Sequence, residues 1–194
     1  MKQSEIEFEL NSLANNNYNL PQNIKPILQI SSNAKLLIIG PAPGIRAHKT
    51  GTPWNDSSGV KLRSWLDISK EEFYNKNKVA LLSMNFWYPG VDNHGHDNPP
   101  SLVHAELWHR PLLKLLRKVE LTLLIGHQAQ TYILKDQAKK SMTATVEAWK
   151  EYLPDFIPLP HPSWHNNRWI KKHKWFKMEL LPELRRRARE ILNA

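Results

Sequence analysis

Four short apolar runs constrain this chain more than anything else in it. They are KLLIIG (35–40), VALLSM (79–84), LTLLIG (121–126) and DFIPLP (155–160). None alternates polar with apolar residues, so each reads as a strand buried on both faces, the signature of a parallel sheet. Helical patterns fill the gaps. SGVKLRSWL (58–66) puts Val60, Leu62, Trp65 and Leu66 largely on one side, with Ser57 or Ser58 as its cap. LVHAELWHRPLLKLLRKV (102–119) is amphipathic, and Pro111 is expected to kink or split it. HQAQTYIL (127–134) follows the third run directly. One or two helices are expected over residues 1–30, packed on the edge, and a closing helix over the last 20, broken at Pro182. Strand, crossover, helix, strand gives an α/β fold with helices on both faces. With 194 residues, a single domain over 1–194 is expected.

Ligands of open α/β sheets sit outside the carboxyl ends of the strands. The segments that follow the four runs are GPAPGIRAHKTGTPWNDSSG, NFWYPGVDNHGHDNPPS, GHQAQ and HPSWHNNRW. The polar, Gly/Pro-punctuated stretches therefore share one rim, and His161 lies on it.

Several chemistries are excluded. Without cysteine there is no disulfide, thiolate nucleophile or cysteine-ligated cluster. AHKT lacks the glycines of a phosphate-binding loop, and no G-x-G-x-x-G or G-x-S-x-G occurs. His94, His96 and Asp97, or His161 with His165, lack a third ligand at recognisable spacing, so no metal and no other cofactor is expected. No run of 18 apolar residues is present and the N-terminus is acidic and amphipathic, so neither a membrane span nor a signal peptide is expected, and a cytoplasmic chain is. Net charge is +9, and residues 161–194 hold nine Lys or Arg against three Glu, interleaved with Trp164, Trp169, Trp175 and Phe176. Basic plus aromatic suits a nucleic-acid face, although Trp175 and Phe176 also fit as core anchors of the last helix.

Individual residues carry two readings each. Gly40 and Gly44 let the backbone turn tightly and approach a ligand, or merely end a strand. Asp56 is a site carboxylate or a helix cap. Trp54 is a core residue or a stacking wall for a flipped base. Ser83 and Asn85, two apart, point to one face, and Asn85 is an amide able to read a donor–acceptor edge or the first residue of a loop. His161, between Pro160 and Pro162, suits the donation of one hydrogen bond from a fixed place.

Together these motifs resemble the uracil-DNA glycosylase superfamily, as a cysteine-free relative of its iron–sulfur branch. GPAPG is similar to its first motif, GTPW…SG to the continuation, LLIGHQAQTYIL to its third strand and helix, and HPSW to its second motif, over about residues 35–185. The resemblance implies a three-layer α/β/α sandwich around a four-stranded parallel sheet. It implies hydrolysis of the N-glycosidic bond of uracil or a related damaged base in DNA, with the base flipped into a pocket. Ala42 departs from the Asp or Asn common at that position, and Pro41 leaves the neighbouring position without an acid, so Asp56 is assigned the attacking water and His161 the developing base anion. Gly40, Ala42, Pro43 and Gly44 would form the pocket floor and Trp54 would stack on the base. Asn85, with Ser83 as the alternative by strict register, would read the base. Ser163, Asn166 and Arg168 would hold phosphates, and Trp164 or Arg168 would fill the vacated duplex position. The partner is DNA containing uracil or another damaged base, and the acting species a monomer. The competing expectations are a non-catalytic binder of damaged or single-stranded DNA on the same fold, and an unrelated α/β hydrolase of a nucleoside or ester.

Overall fold

A computed structural model describes residues 26–94, 98, 99 and 102–193, of which 102–104 by backbone alone. Its centre is a sheet of β1 (Leu36–Gly40), β2 (Val79–Ser83), β3 (Leu121–Ile125) and β4 (Phe156–Leu159). All pairings are parallel and the order is β2-β1-β3-β4. Every residue of the first three strands is buried, which is why they read as unbroken apolar runs.

Helices cover both faces: α1 (Ile45–Thr50), α2 (Ser57–Leu66), α3 (Lys70–Phe73), α4 (Leu102–Leu115), α5 (His127–Leu134), α6 (Met142–Glu147), α7 (Asn167–Lys172) and α8 (Leu181–Asn193). Alternate strand residues feed two cores. Leu36, Ile38 and Leu123 pack with Leu62 and Leu66 of α2 and Leu184 and Ala188 of α8. Leu37, Ile39 and Leu124 pack with Trp108 and Leu112 of α4 and Ala129 of α5. The result is an α/β fold in three layers. Each such fully buried aliphatic side chain contributes about 1.5–3 kcal/mol. Trp65 and Phe176 meet edge to face in the first core, so Phe176 is an anchor there.

Several expectations need correction. Pro111 lies within a continuous α4, which ends at Leu115 rather than 119. Pro182 opens α8 instead of breaking it, because the first turn needs no proline N–H, and a π-helical turn over 176–180 leads into it. Asp56, not Ser57 or Ser58, caps α2: its Oδ1 accepts from Gly59 N at 2.8 Å. The helices expected before residue 26 lie outside the described residues, but 26–30 are not helical. Gln29 forms an antiparallel bridge to Leu81, and its Nε2 donates to Val79 O at 2.7 Å and to Phe73 O at 3.0 Å. The segment therefore covers the β2 edge of the sheet. No helix among the described residues is long and apolar enough to cross a membrane.

Candidate active site

β1 and β2 run level, Gly40 opposite Ser83, and their pairing continues one step past the strands through Met84 N to Gly40 O and Asn85 N to Pro41 O. β4 ends two strands away at Leu159. Beyond these ends lies a cavity of about 510 Å³, within the range of small-molecule sites. It is lined from three directions: by 41–44, Pro53, Trp54 and 56–58 after β1, by Ser83 with Pro89 and Asn98 after β2, and by His161 and 163–165 after β4.

The 53–58 loop is held in an uncommon shape. Trp54 has φ +56°, a left-handed conformation rare for a bulky residue. Two glycines make room for it. A Cβ on Gly59 would come within 1.8 Å of the Trp54 carbonyl oxygen, and one on Gly40 within 2.6 Å of the indole Cζ2. Tyr74 secures the approach by donating from its hydroxyl to Pro53 O at 3.0 Å. The indole lies against the His161 ring, with centroids 5.7 Å apart and planes 27° from parallel.

His161 is fixed from its other side as well. Asn166 Nδ2 donates to its carbonyl oxygen at 2.8 Å, and its Nδ1 accepts from Ser163 N at 3.3 Å. A neutral imidazole that accepts at Nδ1 carries its proton on Nε2. Burial holds the ring's pKa below the ordinary histidine value; the Asp56 carboxylate opposes that shift, while His165 and Lys61 add to it. At neutral pH the side chain is thus an uncharged Nε2–H donor on the cavity wall. The Asp56 carboxylate divides its oxygens: Oδ1 caps α2, and Oδ2 lies 3.8 Å from where a Cβ on Gly44 would sit. Asp56 is therefore both cap and cavity wall.

Of the residues singled out from the sequence, Ala42, Pro43, Gly44, Trp54, Asp56, Ser83, His161, Ser163 and Trp164 line the cavity. Four do not. Gly40 lies behind the wall, against the Trp54 ring. Asn85 is buried, and its side-chain oxygen accepts from Trp87 N at 3.4 Å; of the two second-strand residues, Ser83 is the one on the cavity. Asn166 braces the His161 carbonyl, and Arg168 is exposed on α7 outside the lining. Trp164 is 72% exposed and stacks on His165 with centroids 3.7 Å apart.

Sequence reasoning took Gly59 only as the end of GTPW…SG, not as the room Trp54 needs, and missed two supports altogether: Tyr74 and His109. The last is 1% exposed on α4, and its Nε2 donates to Ser83 O at 2.9 Å. Nothing local in the sequence marks these roles, because each partner lies far along the chain or depends on loop geometry. His96 and Asp97 of the weighed metal sets lie outside the described residues. Among the described residues no three metal-ligating side chains converge.

A solved structure with a similar chain path comes from Methanosarcina acetivorans, a protein provisionally assigned as a uracil DNA glycosylase. It shares 13% identity over 81% of this chain and 92% of its own, with a TM-score of 0.47. The family model described as the uracil DNA glycosylase superfamily matches residues 28–185, a span that takes in all four strands and every cavity-lining loop. The chain belongs to the uracil DNA glycosylase superfamily.

Proposed function

We propose that the chain is a monofunctional DNA glycosylase, hydrolysing the N-glycosidic bond of uracil or a related damaged base in DNA, in the manner of base excision repair. One observation carries the reading: a neutral, immobilised Nε2–H donor and a carboxylate line the same cavity.

The bond between sugar and base breaks with its electron pair leaving on the base and positive charge developing at the sugar. The His161 Nε2–H donates to the base oxygen where negative charge accumulates. Such preorganised donors are each worth about 3–4 kcal/mol in the transition state. The Asp56 carboxylate faces the sugar cation and aims a water at it; the water's proton passes first to the carboxylate and then to the departing base. Products are the free base and an abasic sugar. Trp54 supplies the aromatic wall for the flipped base, and Ser83, both donor and acceptor, reads its edge. Trp164, exposed at the mouth, fills the vacated place in the duplex.

The test is a panel of oligonucleotides, each with one lesion (uracil, hydroxymethyluracil, hypoxanthine or xanthine), incubated with protein and then alkali. Strand cleavage at one or more lesions is expected. Tight binding to lesion DNA with no abasic product would favour the non-catalytic binder instead, a reading supported by the acid-free positions 41 and 42 and by the use of Asp56 Oδ1 as a cap.

A further inference from the structure

A second concavity of about 570 Å³ lies between α2, α7 and the start of α8. Four cations line it: Lys61 from α2, Lys171 from α7, Lys177 from the π-helical turn and Arg185 from α8. Among the described residues none of the four is ion-paired. Lys61 Nζ donates to Asn167 Oδ1 at 2.5 Å and lies 5.6 Å from the centre of the Trp65 ring. Arg185 donates to backbone, to Trp65 O and Ser64 O at 3.1 Å each, so its charge is not cancelled by a carboxylate. Cations elsewhere on the same helices are treated differently: Arg186 and Arg187 bind Glu183, and Arg189 binds Asp67. The groove thus gathers positive charge that no carboxylate among the described residues neutralises. Burial and the nearby Lys177 charge both hold Lys61 below the ordinary lysine pKa, which marks the mutual repulsion.

Placement says what relieves it. Helix α2 starts from Asp56 on the cavity wall, and α7 starts where the 163–166 turn leaves the cavity mouth. Lys61 is close enough to His161 to bias its ionisation. From Ser57 to Trp65, α2 runs about 12 Å at 1.5 Å per residue, long enough to meet successive phosphates.

We infer that this groove is a phosphate track, engaging the backbone of the DNA strand whose base enters the cavity, beyond the nucleotide being excised. The inference extends the proposed glycosylase reading, and its occupant is a single polyanionic strand. Each lysine that neutralises a phosphate on a single strand contributes about 0.7 to the slope of log affinity against log salt.

The test is binding of an undamaged, fluorescently labelled single-stranded oligonucleotide at several KCl concentrations. The K171Q/K177Q variant is compared with wild type and with K114Q/R117Q, which removes the same charge from the α4 side, against the opposite core. The groove variant should have a slope less negative by about 1.4, so that affinity lost between 50 and 200 mM salt shrinks by about sevenfold. The α4-side variant should keep the wild-type slope. A wild-type slope in the groove variant, equal changes in both variants, or no binding by the wild type would each overturn the inference. Base excision is scored separately on the lesion panel. A groove effect without excision removes the glycosylase reading and keeps the track; excision with unaltered slope does the reverse.

Discussion

Asp56 is asked to do two jobs with two oxygens, and a pair of substitutions separates them. In Asp56→Asn the side chain keeps an oxygen to accept from Gly59 N, now at 2.8 Å, so α2 stays capped and the melting temperature should hold to within about 1 °C. The charge beside the sugar is gone, and the single-turnover rate on lesion DNA should fall by about 10²–10⁴, the usual yield of a positioned general base. Asp56→Ala removes both functions. Loss of a cap costs about 1 kcal/mol, or about 2–4 °C in melting temperature for a chain of this size, and the rate should fall as far as in Asp56→Asn. DNA affinity should hold or rise in both, because a carboxylate near phosphates opposes ground-state binding. The assay is single-turnover cleavage with thermal melting on the same preparations. A wild-type rate in Asp56→Asn, with Asp56→Ala losing only its 2–4 °C, would make the residue a cap alone and refute the catalytic assignment.

Three further outcomes follow from the cavity geometry. His161→Ala should fold and lose about 10²–10³ in rate, the worth of one preorganised donor; an unchanged rate would end its role at the base anion. Burial lowers the pKa of both His161 and His109 in the folded chain below the ordinary value of 6.5, so the unfolded chain binds more protons as pH drops below that value. Stability should therefore fall with acidification through this window, and melting at pH 5 and 7.5 should show a smaller loss in His161→Gln than in wild type. In Gly40→Ala the new Cβ would meet the Trp54 ring at 2.6 Å, so the ring must move off its stack with His161 and the rate should fall. In a Trp54→Ala background the same glycine substitution should cost almost nothing more, and additive losses in that double-mutant cycle would contradict the contact.

The sheet was legible because its strands are buried on both faces and thus form continuous apolar runs, matched to within a residue or two at each end. His161 was conspicuous because its two prolines and its strand-end position are local facts. What remained hidden was tertiary. Whether Ser83 or Asn85 faces the cavity depends on how the chain turns after β2, and Asn85 is turned inward beneath Trp87 N. The sequence leaves the cap of α2 open among Asp56, Ser57 and Ser58 because Asp and Ser are nearly equal as caps, and backbone geometry chooses Asp56. Helix α7 is not legible in the sequence, since in six residues only the adjacent Trp169 and Ile170 are apolar, too few to show a helical period. Pro182 misled because a proline that starts a helix and one that breaks it look alike in sequence.

Strand β3 contributes no residue to the cavity, yet it lies between β1, which carries the Trp54 and Asp56 loop, and β4, which carries His161. It sets their separation at two strand spacings, about 9–10 Å, a gap the Trp54 indole reaches across. The two walls, more than a hundred residues apart in the chain, are thus bridged through a strand made between them. No fragment ending before β4 can assemble the site, so a nascent chain completes the cavity only once β4 has joined the sheet. Recovered activity would then report complete folding, lagging behind the helical signal that local segments regain first.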